Sequence, residues 1–151
     1  QVQQIRRMKA RVENERMPHG ADRTRQLKLG RGGLSDVEWL VQLVQLRHAH
    51  AVPGLRPPST LKALNAAVEA GLVEAADAEI LSGAWLLATK IRGGNVLRGV
   101  RQSDTLPSGR ADLEAIARWC GYPAGSARAL EEDYLRQTRT ARKGYERLFF
   151  E

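Results

Sequence analysis

Three glycines, two basic residues and two carboxylates lie close together in the sequence and form the best candidate for a ligand site. Gly30, Gly32 and Gly33 permit positive φ angles and close backbone approach, and a helix that begins after them would expose free N–H groups to an anion. Lys28 and Arg31 add positive charge, which favours a ligand that carries phosphate. The run lacks the Lys-Ser/Thr pair that follows the last glycine of a P-loop, so it is not a Walker motif.

The two carboxylates, Asp36 and Glu38, argue against a simple phosphate site. In the first turn of a helix they favour the helix dipole and would repel a phosphate, although they could face a metal-bound nucleotide or a basic partner. In a purely structural alternative, the glycines and Ser35 shape the tight start of a buried helix that the carboxylates cap. The phosphate- or interdomain-contact candidates are therefore Lys28, Gly30, Arg31, Gly32, Gly33, Asp36 and Glu38.

The remaining reactive side chains do not combine into a catalytic or metal-binding pattern. His48 and His50 lie two residues apart, which points them to different faces of a helix and disfavours a shared metal ion. Cys120 lies on an apolar helical face with no His nearby in the sequence, which is typical of a buried, inert thiol. We therefore predict no catalytic residue and no metal site in this chain.

The first part of the chain is strongly basic, and the formal net charge is +7. Such a charge attracts polyanions, but it does not distinguish nucleic acid from nucleotide phosphates or an acidic protein surface. Interspersed acidic residues and the few aromatic side chains disfavour nucleic acid as a partner and favour a solvated face, or a rim that faces a neighbouring domain. The basic residues concerned are Arg6, Arg7, Lys9, Arg11, Arg16, Arg23, Arg25, Lys28 and Arg31.

Composition indicates one globular domain over residues 1–151. The chain is 42% hydrophobic and 27% charged, has a single cysteine and contains no apolar run long enough for a membrane span. We expect a cytoplasmic protein that makes no internal disulfide. Because the sequence lacks an initiator Met and its helical pattern starts at Val2, we also expect a fragment of a longer protein.

Periodicity predicts an all-α bundle of about six helices with one irregular, glycine-containing connector over residues 18–34. The first helix should bury Val2, Ile5, Met8 and Val12, which recur at steps of three and four. A capping box predicts that the second helix starts at Ser35. Further helices should begin near Ser59, Glu74, Arg110 and Ser126, and the fourth should kink or stop at Gly93 and Gly94.

Several segments together resemble the C-terminal part of the bifunctional glutamine-synthetase adenylyltransferase/adenylyl-removing enzymes. The glycine motif followed by an acidic helix start is also similar to that of related nucleotidyltransferases, such as the enzyme that uridylylates the PII signalling protein. The similarity covers nearly the whole chain. The segments that carry it are residues 9–16, 28–39, 41–43, 46–50, 84–92, 104–107 and 133–136.

The resemblance implies an enzyme with two nucleotidyltransferase domains, one that removes AMP from a tyrosine of glutamine synthetase and one that attaches it from ATP. This chain would be the helical accessory or regulatory domain that follows the adenylylating domain. The family's catalytic signature, Gly-Ser followed by Asp-x-Asp, is absent, so we expect the fragment alone to be inactive. ATP and Mg²⁺ would act in the full-length enzyme, with neither bound to this fragment.

The implied partners are glutamine synthetase, the PII protein and the upstream nucleotidyltransferase domain of the same chain. In that setting, we hypothesise that residues 27–29 pair with the catalytic sheet and that Asp36 or Glu38 lies near the edge of the active site. We expect no membrane partner. The alternative function is a free-standing basic helical module that binds nucleic acid.

Overall fold

The structure is a computed structural model that describes residues 1–151, and it confirms an all-α fold of six helices. A 3-10 turn at Pro53–Leu55 lies between the second and third helices, and the only β-type pairing is a single antiparallel bridge between Gln26 and Thr105. None of the helices combines the length and the hydropathy needed to cross a membrane. The helices are α1 (Val2–Arg16), α2 (Leu34–His48), α3 (Thr60–Glu69), α4 (Ala75–Leu97), α5 (Arg110–Trp119) and α6 (Ala127–Phe150).

Two apolar clusters form the interior, and α4 and α6 contribute to both. The larger cluster joins α2, α3, α4 and α6, with Tyr145 and Phe149 as its largest fully buried side chains. The second lies between α4, α5 and α6, and it also buries Leu27 and Leu106 from the two irregular segments. The two long helices therefore hold both halves of the molecule together.

The start of α3 is as predicted, but the start of α2 is not. At α3 the Ser59 hydroxyl accepts a hydrogen bond from the Lys62 N–H at 3.4 Å. At α2 the predicted capping box is wrong, because Gly33 is the N-cap and Ser35 makes no side-chain cap bond. Instead Asp36, in the first turn, reaches back and accepts from the N–H of Gly32 at 2.7 Å.

A kink or a stop of α4 was predicted at Gly93 and Gly94. The stop is wrong, since the helix continues to Leu97. Gly94 is buried against α5, where a Cβ atom would lie 2.7 Å from Cδ1 of Trp119 and 2.9 Å from Cδ1 of Ile116. Gly93 has open space around it. Packing of α5 on Gly94 thus offsets the weak helix propensity of glycine.

The inner face of α1 also differs from its predicted apolar stripe. Met8 is 55% exposed, and the only buried residue of the helix is a charged one, Lys9. Ile5 and Val12 are half-buried against neighbouring segments. The inner face is rotated from Met8 to Lys9 because Lys9 has an ionic partner in the interior.

The irregular segment before α2 pairs with the loop before α5. The N–H of Leu27 donates to the Asp104 carbonyl at 2.7 Å, and the N–H of Leu106 donates to the Arg25 carbonyl at 2.8 Å. The buried amide of Asn95 donates to the carbonyls of Ser103 and Thr105, both at 2.9 Å. Both backbone hydrogen-bonding groups of Leu27 are therefore used within this chain, since its carbonyl accepts from the N–H of Leu34 at 2.9 Å, and the pairing of residues 27–29 with a catalytic sheet stays a prediction.

The two glycines of α4 provide a matched stability test. We expect Gly93→Ala to raise the free energy of unfolding by about 0.5–1 kcal/mol, because alanine is the better helix former and meets nothing there. Gly94→Ala should lower it by about 1 kcal/mol, because overpacking against Trp119 and Ile116 outweighs the same gain. Urea denaturation of both variants checks this, and equal stabilisation would mean that α5 does not pack closely on Gly94.

Candidate functional site

The candidate motif separates into an inner and an outer half in the structure. We define the inner half as the buried residues Gly30, Gly32, Gly33 and Asp36. The outer half comprises Lys28 and Arg31, whose side chains are exposed, and Glu38, which is half-buried. Residues adjacent in the sequence thus face different environments, because the chain turns sharply through the glycines into α2.

Each glycine of the inner half lies against backbone of the same chain. A Cβ atom on Gly30 would clash with the carbonyl oxygens of Arg23 and Gln26, and one on Gly33 would lie 2.6 Å from the carbonyl oxygen of Leu27. Gly32 has φ +72°. Its Cα packs on α6, where a Cβ atom would clash with the carbonyl oxygen of Thr138. The close approach that glycine permits is therefore used by the chain itself.

Asp36 is fully buried and receives three hydrogen bonds from three parts of the chain. Its Oδ1 accepts from Nζ of Lys9 in α1 at 2.7 Å. Its Oδ2 accepts from the N–H of Gly32 at 2.7 Å and from Nη1 of Arg142 in α6 at 3.0 Å. The carboxylate has no exposed surface left with which to meet an outside partner.

A second carboxylate balances the two cations around Asp36. Glu13 accepts from Lys9 at 3.1 Å and lies 3.5 Å from Nη1 of Arg142. The ring of Tyr145 lies beneath both cations, 5.5 Å from Nζ of Lys9 and 5.0 Å from the guanidinium carbon of Arg142. We call Lys9, Glu13, Asp36 and Arg142 the Asp36 network. It has two positive and two negative charges, as burial of ions requires.

The charges of the network shift the pKa of Arg142, which is one of its members, and of the neighbouring Tyr145. Burial alone would lower the pKa of Arg142, but Asp36, Glu146 and Glu13 raise it above its usual value. Burial, and then the negative charge of Asp36, raises the pKa of Tyr145. Both shifts in pKa favour the state that each group already has at neutral pH, a charged guanidinium and a neutral phenol.

Sequence reasoning missed Lys9 and Arg142 as members of this site. One signal for Lys9 was present, because Ile5, Lys9 and Val12 follow steps of four and three, as an inner helical face does. Lys9 was nevertheless expected on the solvent-facing side of α1, because lysine is charged. For Arg142 no local signal exists, since its partner Asp36 is 106 residues away in the sequence.

Part of the predicted basic surface is used inside the chain. Lys9 is buried, Nε of Arg6 donates to the Phe149 carbonyl at 2.7 Å, and Nη1 of Arg25 pairs with Glu131 at 2.7 Å. The other six members make no side-chain hydrogen bond or ion pair and are exposed: Arg7, Arg11, Arg16, Arg23, Lys28 and Arg31. The N–H of Arg31 donates to the Arg23 carbonyl at 3.2 Å, which brings these two residues together at the outer half of the motif.

Glu38 is the carboxylate of the motif that can be reached from outside. One of its oxygens accepts from the indole N–H of Trp85 at 3.4 Å, a long hydrogen bond. The side chain lines an open groove between α2, α4 and α5. Asp36 and Glu38, which sequence reasoning treated together, are therefore in different environments.

No three His, Cys, Asp or Glu side chains come together in a way that could hold a metal ion. Cys120 is half-buried at the end of α5, and burial raises the pKa of its thiol. A raised pKa keeps the sulfur protonated and weakly nucleophilic at neutral pH.

The chain is similar to one protein family and to several bacterial proteins that share a name. A family model described as GlnD PII-uridylyltransferase matches residues 6–149. A protein of Leifsonia xyli is 52% identical over 149 residues, and one of Streptomyces avermitilis is 50% identical over 149 residues; each match covers 99% of this chain. A protein of Mycobacterium leprae is 47% identical over 98% of this chain. All three are named bifunctional glutamine synthetase adenylyltransferase/adenylyl-removing enzyme, and the chain spans about 15% of the length of each.

A comparison of two glycines with the same backbone angle tests the close approach to α6. Gly71 has φ +73° with nothing near its Cα, so Gly71→Ala should lower the free energy of unfolding by about 1–2 kcal/mol through strain alone. Gly32→Ala adds the clash with Thr138 to the same strain, so it should lower the free energy of unfolding by about 2–5 kcal/mol. Equal losses in thermal or urea denaturation would contradict a structural role for Gly32 against α6.

Replacement of Asp36 tests the network. Asp36→Asn leaves two buried cations with one carboxylate, so we expect a loss of about 3–5 kcal/mol in the free energy of unfolding. Glu38→Gln should lose at most about 1 kcal/mol, because its hydrogen bond is long and its environment is open. Adding Lys9→Met to Asp36→Asn should recover part of the loss by removing an unmatched charge. A stable Asp36→Asn variant with no change on adding Lys9→Met would show that the network does not couple these residues.

Proposed function

This chain belongs to the family described as GlnD PII-uridylyltransferase, and we propose that it is a helical accessory domain of an enzyme that adenylylates and deadenylylates glutamine synthetase. The proposal rests on the identity of 47–52% to proteins of that name over nearly all of this chain. Since the match spans about 15% of each relative, the catalytic work would be done in the remainder of the longer polypeptide.

One structural observation supports an accessory rather than a catalytic role. The carboxylate at the centre of the family-like motif, Asp36, is held by Lys9, Arg142 and the N–H of Gly32. A carboxylate that binds Mg²⁺ or accepts a proton must be reached by its ligand, and this one is fully buried among three donors of its own chain. ATP and Mg²⁺, which adenylyl transfer generally uses, would therefore be held by another part of the enzyme.

The outer half of the motif would then contact a neighbouring domain or a phosphate. Lys28 and Arg31 are exposed without an ionic partner, and Glu38 faces an open groove. The first partner we propose is the nucleotidyltransferase domain upstream in the same chain. Glutamine synthetase and the PII protein are the proposed partners of the longer enzyme, and the proposed compartment is the cytoplasm.

The alternative, a free-standing module that binds nucleic acid, has weaker support. Three of the nine residues proposed for a basic surface are engaged within the chain. Trp85 and Trp119 line an apolar groove rather than the basic surface, so they are not placed to stack bases beside it. Six exposed basic side chains remain, which is enough for weak, salt-sensitive association with any polyanion.

The function can be tested by exchange into a relative. A full-length protein with this chain in place of the matched region of the Leifsonia xyli relative should transfer AMP to glutamine synthetase, and residues 1–151 alone should not. In that protein, Lys28→Glu with Arg31→Glu should slow transfer about tenfold by reversing two contact charges, a loss of about 1.4 kcal/mol. Radiolabel incorporation from ATP measures both effects.

Lys62→Glu with Arg110→Glu is the matched control. Both residues are exposed, lie in the first turn of a helix and make no ion pair, so this double variant should keep the parent rate. Transfer of AMP by residues 1–151 alone would contradict the accessory role. An unchanged rate after reversal of Lys28 and Arg31, with stability intact, would remove the proposed contact of the outer half.

A further inference from the structure

An open, partly apolar groove lies on the surface between α2, α4 and α5 and is lined by Glu38 of the motif. It has a volume of about 440 Å³. Leu34, the first residue of α2, lies at one wall, and Trp85, Val96, Leu97 and Trp119 provide most of the remaining apolar lining. We call it the tryptophan groove.

Three large apolar side chains at this groove are exposed. Leu97 is 71% exposed, Val96 59% and Trp119 50%. The indole N–H of Trp119 donates to the Lys90 carbonyl at 2.9 Å, and that of Trp85 donates to Glu38. Because both N–H groups are satisfied from within the chain, the rings offer apolar surface to whatever enters. Clustered exposure of this kind marks a binding surface.

The charges in the groove indicate what would enter it. Arg92 is already paired with Asp104, so the guanidinium is neutralised by its own chain. Glu38 has only the long hydrogen bond from Trp85, which leaves the rest of its acceptor capacity unused. A half-buried carboxylate beside an apolar surface favours a segment with one Lys or Arg among apolar side chains.

The position of the groove indicates where that segment comes from. Glu38 belongs to the outer half of the motif and also lines the groove, so the groove adjoins the residues that we propose contact a neighbouring domain. In the relatives about 85% of the polypeptide lies outside the region that matches this chain, since the match covers about 15%. A partner tethered in the same chain needs little intrinsic affinity, because its effective concentration is high.

We infer that the tryptophan groove is the docking site for a segment of the same polypeptide outside residues 1–151, an apolar segment whose Lys or Arg pairs with Glu38. The inference rests on the proposed function, and it adds the surface and the chemistry of the contact. The apolar side chains of the segment cover Val96, Leu97 and Trp119, and its cation satisfies Glu38.

Thiol labelling in the full-length exchanged protein tests the inference directly. In a Cys120→Ser background, Leu97→Cys places one thiol in the groove, and Lys62→Cys places one on an exposed position of α3. A maleimide should label Leu97→Cys about tenfold more slowly in the full-length protein than in residues 1–151, because labelling then requires local opening of the contact. Lys62→Cys should label at the same rate in both.

Charge reversal at the carboxylate provides a second readout. Glu38→Lys should restore fast labelling of Leu97→Cys in the full-length protein by repelling the docked cation. Glu69→Lys, which makes the same charge change at an exposed position of α3, should leave the protection intact. Protection that survives Glu38→Lys would overturn the proposed ion pair.

The remaining outcomes separate this inference from the proposed function. Equal labelling of Leu97→Cys in both proteins, in an exchanged protein that transfers AMP, overturns the docking site and leaves the function standing. Protection in an exchanged protein that does not transfer AMP supports docking while the function fails. In residues 1–151, labelling of Leu97→Cys that slows as the protein concentration rises, together with a dimer in sedimentation, would assign the groove to a second copy of the chain. That result would overturn the inference.

Discussion

Burial of one carboxylate constrains the arrangement of four parts of this chain. Asp36 has no contact with water, so its charge must be matched by donors that reach it from other segments. α1 supplies Lys9, the glycine segment supplies the N–H of Gly32, and α6 supplies Arg142. None of these segments can move away without leaving an unmatched charge in the interior. The network therefore fixes α1, whose inner face has little else that is buried, onto the body of the bundle.

The glycines next to Asp36 act together with it. Gly32 lies against the backbone of α6 at Thr138, which requires a positive φ and leaves no room for a side chain. In that position its N–H donates to Asp36. The glycine motif is thus the segment in which close backbone packing, the start of α2 and the buried charge of Asp36 meet. A glycine-rich motif before a helix is not by itself a phosphate site, because close approach of the chain to itself requires the same residues.

The separation of the motif into two halves explains how one motif can both stabilise the bundle and contact another domain. The inner half is committed to the interior of the bundle, while Lys28, Arg31 and Glu38 remain accessible. Glu38 of the outer half also lines the tryptophan groove. At Glu38, accessible charge therefore adjoins exposed apolar surface, as in a contact between domains of one polypeptide.

Local sequence signals determined the type and number of the helices. Ser59 marks a start because its hydroxyl can cap only the N–H groups that follow it, and Gly121 marks an end because it takes a positive φ after α5. The tertiary structure alone decided that α1 turns Lys9 inward, that Gly33 rather than Ser35 is the N-cap of α2, and that Gly94 lies within a helix. The position of Lys9 depends on Asp36 and that of Gly94 on Trp119, each a partner far away in the sequence. Helix propensity and capping act over a few neighbouring residues, whereas burial of a charge or a close packing contact is decided only when distant segments meet.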